Sequence, residues 1–206
     1  MLAPRAEVKI KHNDSISFLG KKQFAEKHQF ATDKHWIHNY LPYYDKEINY
    51  LRRNCKNILE IGVYRGSSLL LWRDAFPGAK IYGVDKDNVK WRPFLEGQKD
   101  IEVLVGRQED VKFLKEKVVP KGPFELIIDD GSHIPEGIRD SFNVLWDQLT
   151  PNGMYVIEDI CGNYRPDRVM QKTSTELVKE LMDKVHTNAS IKSIHMYYNI
   201  IFIQKR

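Results

Sequence analysis

Five short apolar runs, each tied to a polar stretch of different character, constrain this chain more than any other feature. The runs are KNILEIGV, KIYGVDKD, IEVLVGRQED, FELIIDDG and PNGMYVIEDI. Each has the length of a buried strand, and the last follows a Pro-Asn-Gly turn signal. Among them lie RGSSLLLWRDAF, VKFLKEKVV and IPEGIRDSFNVLWDQL, which read as helices. Parallel strands need a crossover, usually a helix, so the alternation predicts a mostly parallel sheet with helices on both faces. A longer helix, TSTELVKELMDKVH, leads into SIKSIHMYYNIIFIQKR, which reads as two strands with a very tight turn near Tyr198 and Asn199. That terminal hairpin makes the edge antiparallel. The expected fold is therefore α/β: a doubly wound, Rossmann-like sheet of seven strands. Trp72 and Trp146, at helical spacing among apolar neighbours, are expected in its core.

Ahead of this domain, expected over 57–206, stands a lead of different texture over 1–56. Residues 1 to about 17 are a polar arm. FLGKKQFAEKH and YLPYYDKEINYLRR then carry helical spacing, with the polar and aromatic connector ATDKHWIHN between them. Within the lead, Thr32, Asp33, His35, His38 and Tyr40 are candidates for closing over a ligand, with an ordinary packed helix as the alternative.

Several function classes are disfavoured by composition. The formal net charge is +4, but the basic residues are spread along the chain with no dense stripe, so a nucleic-acid partner is not expected. The apolar stretches fall short of the roughly 20 residues of a spanning helix, and the start has no secretory pattern. Cys55 and Cys161 make neither a disulfide framework nor a zinc pattern. A cytoplasmic setting without membrane contact is expected.

In a sheet of this type the ligand crevice lies beyond the carboxyl ends of the strands. The residues there are Glu60, Gly62 and Gly66 after the first run, Asp85 after the second, and Gln108, Glu109 and Asp110 after the third. Asp129, Asp130 and His133 follow the fourth, and Glu158 and Asp159 the fifth. EIGVYRGSS brings backbone close to a ligand at the start of a helix, yet Tyr64 stands where a dinucleotide fingerprint would have its second Gly. Asp85, roughly 20 residues on, stands where an acid meets ribose hydroxyls in this architecture. A nucleoside without pyrophosphate fits best, and S-adenosylmethionine is such a ligand. Adjacent acids repel each other unless a cation or a hydrogen-bonding site holds them. If the fourth and fifth strands are neighbours, their acids converge, and hard oxygen donors of this kind suit Mg²⁺ or Mn²⁺. His133 beside them is a ligand or a base. The bland alternative has Asp129 capping the next helix and Glu158 paired with Arg165 or Arg168.

ILEIGVYRGSSLLLW, YGVDKD, FELIIDDGSH, GMYVIEDI and SIHMYYNIIFIQK, together with TDKHWIHNYLPYY in the lead, resemble the class I S-adenosylmethionine-dependent O-methyltransferases of antibiotic biosynthesis. Within them the likeness is to the Mg-dependent macrolide-sugar and rhamnosyl O-methyltransferase group. That resemblance implies that Asp130, Glu158 and Asp159 hold Mg²⁺ (or Mn²⁺), that His133 is the base, and that Asp130 takes part in catalysis. It implies a cofactor set drawn from Glu60, Gly62, Tyr64, Gly66, Ser67, Asp85, Gln108 and Asp129. The acceptor would be a hydroxyl of a sugar or glycoside, chosen in part by CGNYRPDRVMQKTS, and the enzyme a possible homo-oligomer. Some members carry a separate N-terminal domain where this chain has a short helical lead. Rival expectations are a catechol- or caffeoyl-type O-methyltransferase, an NAD-dependent oxidoreductase, and a non-catalytic S-adenosylmethionine-binding subunit.

Overall fold

Seven strands form one sheet in the order β3-β2-β1-β4-β5-β7-β6 in the computed structural model, which describes residues 14–27, 31–160, 174–187 and 190–206. The first five strands are β1 (Asn57–Ile61), β2 (Lys80–Asp85), β3 (Ile101–Val105), β4 (Phe124–Asp129) and β5 (Leu149–Glu158), and neighbours among them run parallel. β6 (Ile191–Tyr197) and β7 (Ile200–Lys205) form the terminal hairpin, and β7 runs antiparallel to β5. The hairpin turns at Tyr198 and Asn199, and Asn199 supplies the left-handed φ of 64° that so short a turn requires.

Both faces of the sheet are apolar, because a parallel strand is covered on each side and side chains alternate between the sides. Ile58, Ile81, Leu126, Ile128, Val156 and Phe202 belong to one core cluster. Leu59, Ile61, Val84, Ile127, Ile157 and Ile203 belong to the other. The first cluster is closed by the lead, α1 (Ile16–Lys27) and α3 (Leu41–Ile48), together with α4 (Ser67–Ala75). Tyr44 of α3 packs on Trp72 of α4, with ring centroids 4.9 Å apart. The second is closed by α7 (Pro135–Leu145), which buries Ile138, Phe142 and Leu145 at helical spacing, and by α8 (Ser174–Val185) through Leu177, Val178 and Leu181. Arg139 donates through both terminal nitrogens to Glu180, a bidentate tie between these two helices.

Three local expectations need correction. The connector ATDKHWIHN contains a one-turn helix, α2 (Asp33–Trp36), capped by the Thr32 side chain accepting from the Lys34 amide. VKFLKEKVV is α-helical only over α6 (Val111–Phe113), then widens into a π-helical turn, Leu114–Val118. Pro151-Asn152-Gly153 falls inside the bounds of β5 and not ahead of it, at an irregularity where the register against β4 shifts and Asn152 keeps the left-handed φ of 60° of a turn. Trp72 is fully buried as expected, while Trp146 is half-buried and stacks on Phe142 at the core's margin.

Two ties set the lead on the sheet. Both oxygens of Asp45 accept the first amides of α1, from Ile16 at 2.6 Å and Ser17 at 3.0 Å. Gln23 of α1 accepts from the Thr32 amide at 2.9 Å and donates to the Ser67 carbonyl at 2.7 Å. The short helix α2 is thereby held over the carboxyl edge of the sheet.

Candidate active site

Strand order reverses between β1 and β4, and the carboxyl ends of an open α/β sheet form a crevice at that point. A cavity of about 870 Å³ opens there. The ends of all five parallel strands line it, through Gly62, Asp85, Gln108, Asp130 and Asp159, and α2 lines it from above through Asp33 and Trp36. Its size falls in the range of small-molecule sites.

The first loop explains its own glycine. Gly62 has φ +91°, and a Cβ there would lie 1.9 Å from the Asp130 carbonyl oxygen. The approach is built by the sheet: the Gly62 amide donates to Val84 O and the Asp130 amide to Ile61 O, so the strand ends stay in register past their last residues. Gly62→Ala forces a strained backbone and pushes the Asp130 turn outward. We expect a loss of at least ~2 kcal/mol in urea unfolding, with cofactor affinity falling alongside in calorimetry. Tyr64, two residues on, holds a left-handed φ of 51°, a conformation a bulky side chain adopts only under constraint. The constraint is Asp85, whose Oδ2 accepts from the amides of both Val63 and Tyr64, at 2.9 and 2.8 Å.

Gly62, Tyr64, Ser67, Asp85 and Gln108, all expected around a cofactor, line the cavity. Gly66 sits one step behind as the left-handed cap of α4, pressed against Leu95. Two other members of that set do not reach the cavity. Asp129 is buried and accepts from Ser141 Oγ at 2.6 Å and from the Gln108 amide nitrogen at 3.1 Å. Burial pushes its pKa up to about 6. It anchors the turn beneath the cavity, because successive residues of a strand point to opposite sides and Asp130 takes the open one. Gln108 completes the anchor, its Oε1 accepting from the Ser132 amide at 2.5 Å. Glu60 is likewise fully buried; its Oε2 accepts from Trp72 Nε1 at 2.8 Å.

Asp130 and Asp159 do converge. Asp130 Oδ1 lies 3.9 Å from His133 Nε2, and Asp159 Oδ2 lies 4.0 Å from the same nitrogen. One donor atom from each of the three residues falls within 4.8 Å of the others. His133 and Asp159 both hold left-handed backbone, φ 55° each, and this turns their side chains inward at the two strand ends. The Nδ1 atom of His133 is buried and has no hydrogen-bond partner among the described residues.

Glu158 lies differently from the expectation that it joins Asp130 and Asp159 around an ion. It is buried, with Oε2 accepting from Lys34 Nζ at 2.8 Å and Oε1 from the Tyr44 hydroxyl. Lys34, absent from the candidates, is the largest surprise of the site. Its side chain is 1% exposed, and its Nζ contacts Asp130 Oδ2 at 2.6 Å, Glu158 Oε2 at 2.8 Å and Glu60 Oε1 at 3.2 Å. Burial alone would lower its pKa, but the carboxylates of Asp130, Glu158 and Glu60 outweigh that and raise it well above the ordinary lysine value. It is an ammonium.

The remaining lead candidates also serve the acids. Tyr40, a proposed cofactor or substrate contact, is buried, and its hydroxyl donates to Asp159 Oδ1 at 2.6 Å. Asn199 Nδ2 donates to the same oxygen at 2.8 Å, and His38 Nδ1 stands 3.7 Å from it. Each cavity-facing acid is thus held by one oxygen and offers the other. CGNYRPDRVMQKTS, expected to choose the acceptor, falls outside the described residues up to its final Ser174.

A glycine-turned strand–helix loop, an acid after β2 and converging acids after β4 and β5 define a class I methyltransferase fold with an acid-lined mouth. Residues 59–160 match the family model described as a methyltransferase domain. It is 31% identical to the mycinamicin VI 2''-O-methyltransferase of Micromonospora griseorubida, over 92% of this chain and 52% of the relative. It is 34% identical to the demethylmacrocin O-methyltransferase of Streptomyces fradiae, over 82% of this chain and 49% of that protein. The crystal structure of MycE, a methyltransferase of mycinamycin biosynthesis in complex with Mg, SAH and mycinamycin VI, superposes with a TM-score of 0.81 at 32% identity. That superposition covers 93% of this chain and 54% of MycE. The chain spans about half the length of the curated relatives it matches.

Proposed function

We propose that this chain carries an S-adenosylmethionine-dependent, divalent-metal-dependent O-methyltransferase activity on a hydroxyl of a sugar or glycosylated small molecule. The observation that carries the reading is the convergence of Asp130 Oδ1, Asp159 Oδ2 and His133 Nε2 on the floor of one cavity. The two carboxylates are hard donors that fit Mg²⁺ or Mn²⁺, with waters and substrate oxygens filling the other positions, and the imidazole beside them is placed as a base. Glu158 would have to share an oxygen already held by Lys34 or Tyr44 to join them. The relatives named above are by their names O-methyltransferases of mycinamicin VI and demethylmacrocin, and a further one is named for a rhamnosyl tetracenomycin, which supports a glycosylated acceptor.

A divalent ion at this floor supplies Lewis acidity that makes an acceptor hydroxyl more acidic. His133 Nε2 stands too far from either acid for a hydrogen bond, and an acceptor oxygen about 2.8 Å away would fill the gap. His133 would take the hydroxyl proton as the acceptor oxygen attacks the methyl of a bound S-adenosylmethionine, and S-adenosylhomocysteine would be the neutral product. Gly62 and the loop held by Asp85 would bring backbone to the donor, and Asp85 Oδ1, which accepts from the Asp87 amide at 3.3 Å, would be the oxygen offered to a ribose. Orientation of this kind removes several kcal/mol of barrier.

The test is transfer of labelled methyl from S-adenosylmethionine to a panel of glycosides with and without EDTA. Transfer should vanish on chelation and return with Mg²⁺ or Mn²⁺. Full activity in EDTA on an accepted substrate would sink the metal reading.

A further inference from the structure

Lys34 has been given no part in the reaction, yet it has an unusual position. We propose that Lys34 is a positioning residue for the divalent-ion site, its ammonium locking Asp130 so that Oδ1 stands ready in the cavity before any metal arrives. The inference rests on the metal-dependent reading above and adds to it the residue that presets the site.

The argument starts from cost. An ammonium taken out of water costs several kcal/mol unless it is paired and hydrogen-bonded. Here three carboxylates from β1, β4 and β5 supply the pairing. An apolar side chain would fill the same space without that cost, but it would leave buried Glu60 and Glu158 facing each other and Asp130 uncompensated. Such acids relieve repulsion by turning apart or taking up protons, and neither leaves a preformed site.

Geometry separates this role from simple anchoring of α2. Lys34 contacts Asp130 through Oδ2, the oxygen turned from the cavity, while Oδ1 faces His133. Tyr40 and Asn199 treat Asp159 the same way, holding Oδ1 and leaving Oδ2 toward His133. Both acids are fixed as single-oxygen donors, and for Asp130 the fixing group is Lys34. The pairing gives the same answer. Glu60, Asp130 and Glu158 all meet at the Lys34 ammonium, which is the one cation those three acids share among the described residues.

The experiment measures Mn²⁺ alone, by electron paramagnetic resonance and calorimetry on the full chain, without cofactor or acceptor. Lack of Mn²⁺ binding by the parent protein would overturn the metal reading, and this inference with it. Lys34→Ala should weaken Mn²⁺ binding by about tenfold or more, the scale of lost outer-shell support. Propylammonium, which replaces the missing stem and charge, should restore binding, and propanol should not. Lys34→Met fills the space without charge and should show the same weakening; it decides the matter if the alanine variant does not fold. Unchanged or tighter Mn²⁺ binding in a folded variant overturns the proposal. So does a weakening that propylammonium relieves no better than propanol, since packing alone would then be the cause.

Discussion

Asp130→Ala should abolish methyl transfer while S-adenosylmethionine still binds with near-parental affinity. The side chain is placed to do two jobs at once, with Oδ2 on Lys34 and Oδ1 in the cavity beside His133. Removing it takes away one of the two carboxylate oxygens that face the cavity floor. Loss of Lewis-acid support of several kcal/mol corresponds to a fall in kcat of about three orders of magnitude. The fold should survive, because Lys34 keeps Glu158 at 2.8 Å and Glu60 at 3.2 Å and is not left as an unpaired buried charge. Cofactor binding should also survive, since the loop that approaches the donor is held by Asp85. Asp130→Asn is the sharper version: it keeps the shape, loses the charge, and should lose Mn²⁺ affinity in calorimetry to a similar degree. Retained turnover in either variant, with the protein folded by circular dichroism, would remove Asp130 from the metal site.

The contrast between Asp130 and its neighbours shows what a sequence can and cannot disclose. That acids gather at the carboxyl ends of β1, β2, β4 and β5 is legible, because strand-length apolar runs alternate with helical ones and all such strands end at one edge. Which acid of each pair faces the cavity is not legible. Asp129 and Asp130 are adjacent and chemically alike; only hydrogen bonds from Gln108 and Ser141, 21 and 12 residues away in the chain, assign Asp129 to the anchor. Glu60 is assigned by Trp72 in the same manner. Lys34 escaped notice for a related reason. Its partners Asp130 and Glu158 lie 96 and 124 residues away, and nothing in TDKHW marks that lysine as inward-facing. A signal did exist: so many acids at one edge demand a cation, and a side chain can meet that demand as well as a metal. The departures in the fold have local causes, since a one-turn helix such as α2 is too short for periodicity to register.

His133 stands among the candidate ligands and is also placed as a base, and one variant separates the two roles. His133→Asn is the variant to choose, because the backbone there holds φ 55° and asparagine tolerates the left-handed region far better than alanine. If the imidazole takes the proton, kcat should fall by about 10²- to 10⁴-fold with Mn²⁺ affinity little changed. If it is a ligand, Mn²⁺ affinity should fall along with the rate. Geometry favours the first outcome. His133 Nε2 lies 3.9 and 4.0 Å from the two acids, separations that leave room for an acceptor oxygen between them. Its other nitrogen, Nδ1, has no hydrogen-bond partner among the described residues, whereas metal-bound histidines almost always donate that second N–H to an acceptor. A parental rate in His133→Asn would end the base assignment, and the proton would then have to leave through Asp130, Asp159 or solvent.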